Sequence, residues 1–115
     1  MAIVIYHNPR CSKSRQTLQL LQEQGLEPEI IEYLKQPPSI GELERILGLL
    51  GMEPRALMRR KEKRYQELGL NDPQLEPRAL IQAMVDNPVL IERPIVINGD
   101  KAALGRPPEN VLGIL

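Results

Sequence analysis

Hydrophobic positions in this chain come first as a short continuous run and then at helical spacing, and each change of period marks a change of element. Ile3-Val4-Ile5-Tyr6 is a β-branched run of strand length, stopped by the turn-forming pair Asn8-Pro9, and it predicts a buried strand over residues 2–6. Leu18 and Leu21 then share one face of a helix predicted over residues 12–24, with Gly25 as its C-terminal stop. Glu29-Ile30-Ile31-Glu32-Tyr33 reads as a second strand. Strand, helix and strand within about thirty residues make a βαβ unit, whose strands run parallel with a right-handed crossover.

The next stretch is helical in period. Ser39 and Glu42 have the spacing of a capping box, in which each side chain satisfies an orphan backbone donor. Leu43, Ile46, Leu47 and Leu50 fall at i, i+3, i+4 and i+7, and Gly51 closes that helix. A further helical piece is predicted from near Pro54, carrying Arg55, Arg59, Arg60, Lys61, Lys63 and Arg64, before Asn71-Asp72-Pro73 breaks the chain. A helix over residues 77–86 puts Leu80, Ile81 and Met84 on one side and Pro77 in its first turn. Beyond Asn87-Pro88, Val89-Leu90-Ile91 and Arg93-Pro94, Ile95-Val96-Ile97 leads into Asn98-Gly99, a strong hairpin signal with residues 101–104 as the returning strand. Pro107-Pro108 opens a short apolar helix that runs to Leu115. The predicted fold is a single α/β domain over residues 1–115: βαβ, a helical insertion at about 39–86, then ββα around a mixed four-stranded sheet.

Composition narrows the possible functions. At 115 residues the chain can bury one core and not two. Lysine plus arginine and aspartate plus glutamate both total 15, so no global basic field exists to hold nucleic acid, and any anion site must be local. Tryptophan and phenylalanine are absent and only three tyrosines occur, which removes the aromatic platforms that single strands stack on. One cysteine and one histidine make neither an internal disulfide nor a zinc site, and no metal or bound cofactor is expected. A free thiol points to a reducing, cytoplasmic compartment. The first apolar run is too short for a signal segment or a membrane span, so no membrane association is expected. Without a heptad or a broad apolar stripe, the expected state is a monomer.

The chemistry concentrates in His7-Asn8-Pro9-Arg10-Cys11-Ser12-Lys13-Ser14-Arg15, which holds both the cysteine and the histidine. A thiol is a nucleophile as its thiolate, and an ordinary cysteine with pKa about 8.5 is mostly protonated at neutral pH. A helix starting at Ser12 places Cys11 at its N-cap, facing unpaired N–H groups and the positive end of the helix dipole. Arg10, Lys13 and Arg15 add positive charge, and the Ser12 and Ser14 hydroxyls could donate to the sulfur. All of these favour the thiolate, and the same N–H groups form a cradle for an oxyanion. Polar and cationic neighbours set this cysteine apart from an inert buried one. For His7, pairing with the thiolate, proton shuttling and an ordinary loop hydrogen bond all remain open. A cysteine-phosphatase loop would need arginine at position 17, which is Thr17, and a dithiol motif would need cysteine at position 14, which is Ser14. A redox mechanism must therefore take its second thiol from another molecule.

Several separated motifs together carry a resemblance. The pattern H-N-P-x-C-x-x-S-R-x-T is met by His7, Asn8, Pro9, Cys11, Ser14, Arg15 and Thr17; R-A-L-x-R by residues 55–59; Y-x-E-L-G-L by residues 65–70; R-P-I by Arg93-Pro94-Ile95; and G-R-P by Gly105-Arg106-Pro107. With these motifs the chain resembles the glutaredoxin-dependent arsenate reductase (ArsC) family, and Ser12-Lys13 after the cysteine resembles its YfgD-like branch. The resemblance implies a thioredoxin-like fold with a helical insertion and a catalytic Cys11. Its thiolate would attack arsenate or a related oxyanion, glutathione as co-substrate would displace the adduct, and glutaredoxin would complete reduction to arsenite. It further implies that Arg59, Arg93 and Arg106 hold the oxyanion, that His7, Ser14 and Arg15 activate the thiolate, and that Pro94 lies in a cis-proline loop beside the thiol.

Two alternatives use the same residues. A glutathione-linked thiol oxidoreductase, resembling monothiol glutaredoxins, needs Cys11 and Ser14 without the arginines. An RNA polymerase-binding regulator resembling the Spx type would typically carry a second cysteine where this chain has Ser14.

Overall fold

The computed structural model describes residues 2–115, which divide into two compact units. The first holds the chain up to Gln36 together with Arg93–Leu115. Its elements are β1 (Ile3–His7), α1 (Ser12–Glu23), β2 (Glu29–Glu32), β3 (Ile95–Asn98), β4 (Lys101–Leu104) and a 3₁₀ helix, Pro108–Ile114. The strands form one mixed sheet in the order β2-β1-β3-β4. β1 runs parallel to β2, with Val4 opposite Glu29 and His7 opposite Glu32, and antiparallel to β3, with Ile5 opposite Val96. β3 and β4 are antiparallel. This is the α/β class with the mixed four-stranded sheet that the hydrophobic pattern predicts.

Ile5 and Val96 meet as register partners and are fully buried, and Leu21 of α1 and Val111 of the last helix close over them. Each such side chain is worth about 1.5–3 kcal/mol when taken out of water, so this cluster is what clamps α1 to the sheet. The buried face of α1 runs Ser14, Thr17, Leu21. It is apolar where it meets the core and polar toward its N-terminus, the end that begins just after β1.

The β3–β4 turn lies one residue later than the Asn-Gly pair suggests. Asn98 pairs with Lys101, so Gly99 and Asp100 are the central residues, and Gly99 takes a left-handed φ of 63° at the position that demands glycine. Asn98 remains in the strand and its side-chain amide donates to the Ile114 carbonyl (2.6 Å).

The second unit is Pro37–Glu92 and contains α2 (Ile40–Leu50), α3 (Lys63–Glu67) and α4 (Pro77–Asp86). The capping box forms: Ser39 Oγ accepts from the Glu42 N–H (3.1 Å), and Glu42 Oε1 accepts from the Ser39 N–H (3.2 Å). Leu43, Ile46 and Leu47 of α2 and Leu80, Ile81 and Met84 of α4 are buried, and the two helices pack together. Ser39→Ala removes one half of the reciprocal cap and is expected to cost about 1 kcal/mol, read as a lower urea midpoint with an unchanged slope.

The helical piece expected from Pro54 through Arg64 is not continuous. A 3₁₀ turn covers Pro54–Leu57, Met58 is extended and bridges Ile91, and α3 begins only at Lys63. The reason is a competing set of backbone bonds: the Arg59 N–H donates to the Leu90 carbonyl and the Glu92 N–H to the Leu57 carbonyl, both at 2.8 Å. These cross-chain bonds replace the i−4 ladder, so the basic residues do not line one helix. Among the described residues no helix is long and apolar enough to cross a membrane.

Candidate active site

The loop between β1 and α1 is built by Asn8. Its carbonyl accepts the Cys11 N–H (3.0 Å), closing a turn with Pro9 in second place, and its Oδ1 accepts the Arg10 N–H (3.0 Å). Arg15 reaches back from α1 and donates through Nη1 to the Pro9 carbonyl (2.9 Å). Cys11 is thereby fixed as the N-cap of α1, with extended backbone angles (φ −95°, ψ 123°), and its carbonyl takes the first helical bond from the Arg15 N–H (3.0 Å).

The Cys11 thiol is free and only 9% exposed. Burial alone would raise its pKa. Against burial stand the Ser14 N–H, the Arg93 guanidinium, the Lys13 N–H and Arg106, and together they hold the thiol below its ordinary value. Both N–H groups belong to the first helical turn, whose donors have no acceptor within the helix. The cations that lower it, Arg93 and Arg106, are distant in sequence, and the neighbouring Arg10, Lys13 and Arg15 are not among them.

Ser14 is fully buried, and its hydroxyl finds partners in β1 and the loop that follows it. Its Oγ accepts the Asn8 N–H (3.0 Å) and lies 2.6 Å from His7 Nδ1. His7 is buried, and that burial, partly offset by Glu32 and assisted by Arg15, lowers its pKa, so the neutral imidazole dominates near pH 7. Ser14 Oγ and His7 Nδ1 share one hydrogen bond, whose direction is set by the imidazole tautomer. His7 and Asn8 together fix the Ser14 side chain at the start of α1.

Arg93 and Arg106 occupy equivalent positions, each preceding a proline across a cis peptide bond, Arg93–Pro94 and Arg106–Pro107. The two segments are tied by the Gly105 N–H to the Pro94 carbonyl (2.9 Å) and by Arg106 Nη1 to the Arg93 carbonyl (3.3 Å). Gly105 sits in this junction with no room for a side chain: a Cβ there would overlap Thr17 Oγ1 and lie 2.8 Å from Pro94 Cγ. Thr17 is itself fully buried. Neither Thr17 nor Gly105 stood out as more than a pattern match in the sequence. A glycine directly after a strand, where backbones approach closely, was the available signal.

Arg59, the third arginine of the resemblance, belongs to the second unit. There its Nη1 is paired with Glu62 (2.8 Å) and lies 3.4 Å from the Val89 carbonyl, and its Nε faces Glu92 (3.9 Å). Among the described residues no cluster of histidine, cysteine, aspartate and glutamate could hold a metal ion.

The electrostatics of the thiol give a direct test. Arg93→Ala and Arg106→Ala each remove a cation that favours the thiolate, so each is expected to move the pH midpoint of iodoacetamide alkylation at Cys11 upward. Arg93→Ala should move it further, and an unchanged midpoint in both would contradict the assignment.

The family model described as the ArsC family matches residues 6–114. The protein YfgD of Escherichia coli K12 is 58% identical, with 98% of this chain and 96% of that protein covered. An arsenate reductase of Haemophilus influenzae is 50% identical, with 100% of both chains covered. Among solved structures, an arsenate reductase from Vibrio cholerae aligns with a TM-score of 0.98 at 56% identity, covering 100% of this chain and 98% of that one.

Proposed function

This chain belongs to the ArsC family, and from that premise we propose that it reduces arsenate to arsenite through Cys11, with glutathione and glutaredoxin as the reductants. The observation that carries this reading is the Cys11 thiol, buried at a helix N-cap yet held toward the thiolate by two backbone N–H groups and two arginines. Those groups suit a negative sulfur, and they equally suit the oxygens of an incoming tetrahedral anion.

In this reading Arg93 and Arg106 hold the oxyanion, each offering a planar fork of donors, and Arg59 is assigned with them by the motif resemblance alone. His7 fixes Ser14, Ser14 supports the sulfur, Arg15 braces the Pro9 carbonyl, and Pro94 shapes the segment that presents Arg93. Cys11 attacks arsenic and an arsenate oxygen leaves as water. Arsenic then gains two electrons from two thiols, which end as one disulfide. The chain has one cysteine, so at least one of those thiols comes from outside it, and glutathione is the small thiol that meets the need. A bound cofactor has no part in this scheme. We read the protein as one functional domain and as a cytoplasmic monomer, a setting that keeps a lone thiol reduced.

The test is arsenate-dependent NADPH oxidation coupled through glutathione, glutaredoxin and glutathione reductase. Turnover that saturates with arsenate and requires both thiol partners supports the proposal. Absence of turnover at saturating thiols, with Cys11 still reactive, would move the search to other oxyanions or to glutathione mixed disulfides.

A further inference from the structure

Beside the loop that leads to Cys11, the first unit has a cavity of about 200 Å³ that the scheme above does not use. One wall is the end of β1 and the loop after it, with His7, Pro9 and Arg10. The other is the end of β2 and the turn that follows, with Glu32, Leu34 and Lys35. The walls meet because β1 and β2 are parallel and His7 and Glu32 are register partners, so both strands end at the same edge of the sheet. Crevices at the carboxyl ends of parallel strands are where α/β sheets hold ligands. The Arg93 and Arg106 segments adjoin β3 and β4, on the other side of β1 in the strand order.

The cavity wall carries both signs of charge. Arg10 and Lys35 are exposed cations, and Lys35 meets Glu32 only loosely, at 3.7 Å, which leaves the charges open to a ligand. Pro9 and Leu34 add apolar surface. Two cations beside one carboxylate suit a zwitterion, whereas Glu32 would repel an inorganic dianion. Glutathione has such a zwitterion at its γ-glutamyl end, where ammonium and carboxylate share one carbon.

We infer that this cavity seats the γ-glutamyl end of glutathione, with Arg10 and Lys35 facing its carboxylate and Glu32 its ammonium. The inference rests on glutathione being the reductant in the function proposed above. Size agrees with capture by one end, since whole small-molecule ligands commonly occupy about 300–1,000 Å³. Reach agrees as well. Consecutive Cα atoms are about 3.8 Å apart and three extended residues span about 10 Å, so a tripeptide held at Arg10 can bring its thiol to a group on the adjacent Cys11.

The test needs no arsenate. Cys11, the only thiol of the chain, is converted to its mixed disulfide with 2-thiopyridine, a neutral leaving group, and release of the thiopyridine by added thiols is followed. The incoming thiolate attacks the Cys11 sulfur, a new S–S bond forms as the old one breaks, and the leaving sulfur departs with the electron pair and takes a proton from solvent. In wild type the rate is expected to saturate with glutathione and with γ-glutamylcysteine, and to rise linearly with 2-mercaptoethanol, which has no charged end. Arg10→Ala combined with Lys35→Ala is expected to raise the half-saturating glutathione concentration about threefold to tenfold, the weight of two exposed charge contacts, and to leave the 2-mercaptoethanol rate unchanged.

A linear dependence on glutathione in wild type would overturn the inference. So would equal losses with glutathione and 2-mercaptoethanol, which would place the effect on Cys11 itself. Cysteinylglycine lacks the γ-glutamyl residue, and an equal dependence of its rate on the two cations would also overturn the assignment. Selective glutathione saturation without arsenate turnover would leave the seat standing and remove the proposed reaction. Glutathione-dependent arsenate turnover insensitive to both cations would remove the seat and leave the reaction.

Discussion

Cys11→Ser is expected to remove arsenate turnover by a factor of about 10⁴ or more, down to the background of the coupled assay. A serine hydroxyl at the same N-cap stays protonated at neutral pH even when N–H groups and two arginines favour its anion, and oxygen cannot pass electrons on as a disulfide. The fold should survive the change: the N-cap makes no side-chain hydrogen bond in the wild type, and serine is a preferred cap residue. The thiolate's own linkage gives a second readout. Its folded pKa is depressed, so the stability it contributes is present above the unfolded thiol pKa of about 8.5 and is lost as pH falls through the folded value. The stability of wild type relative to Cys11→Ser should therefore rise with pH across that window. Turnover retained in the serine variant would mean that Cys11 is not the nucleophile.

The position of that thiol was legible in the sequence because it depends on local signals. A β-branched run, Asn-Pro and a helical period place Cys11 at a strand-to-helix junction, and the structure has it as the N-cap of α1. The source of its positive charge was not legible by proximity. Arg10, Lys13 and Arg15 are neighbours in sequence, yet the charges that lower the thiol are Arg93 and Arg106, from segments more than eighty residues on. Only motif resemblance singled them out. The stretch after Pro54 misled for a related reason: its residues tolerate helix, but Met58 finds its partner in Ile91, and a long-range bridge overrides local propensity. Thr17 and Gly105, 88 positions apart, meet across the fold, with Thr17 Oγ1 3.4 Å from the Gly105 carbonyl, and no period in the sequence records that.

That meeting point carries the other large effect. Gly105→Ala is expected to destabilise the first unit by about 3 kcal/mol, the upper range for overpacking, and to lower the melting temperature by about 10 °C or more. The cause is space, since the added Cβ overlaps Thr17 Oγ1 and crowds Pro94 Cγ. Relief can come only by moving β4 away from α1 or from the Pro94 segment, and either movement shifts Arg93 or Arg106 relative to the sulfur. Alkylation of Cys11 at neutral pH should therefore slow along with the loss of stability. A second-site change tests the crowding directly. Thr17→Ala removes Oγ1, the nearest obstacle, and Cγ2, and leaves the Pro94 contact in place, so the double variant should recover part of the stability, with a coupling of about 1 kcal/mol or more in a double-mutant cycle. Additive losses in the cycle would show that the crowding is absorbed elsewhere and that the junction is looser than its geometry indicates.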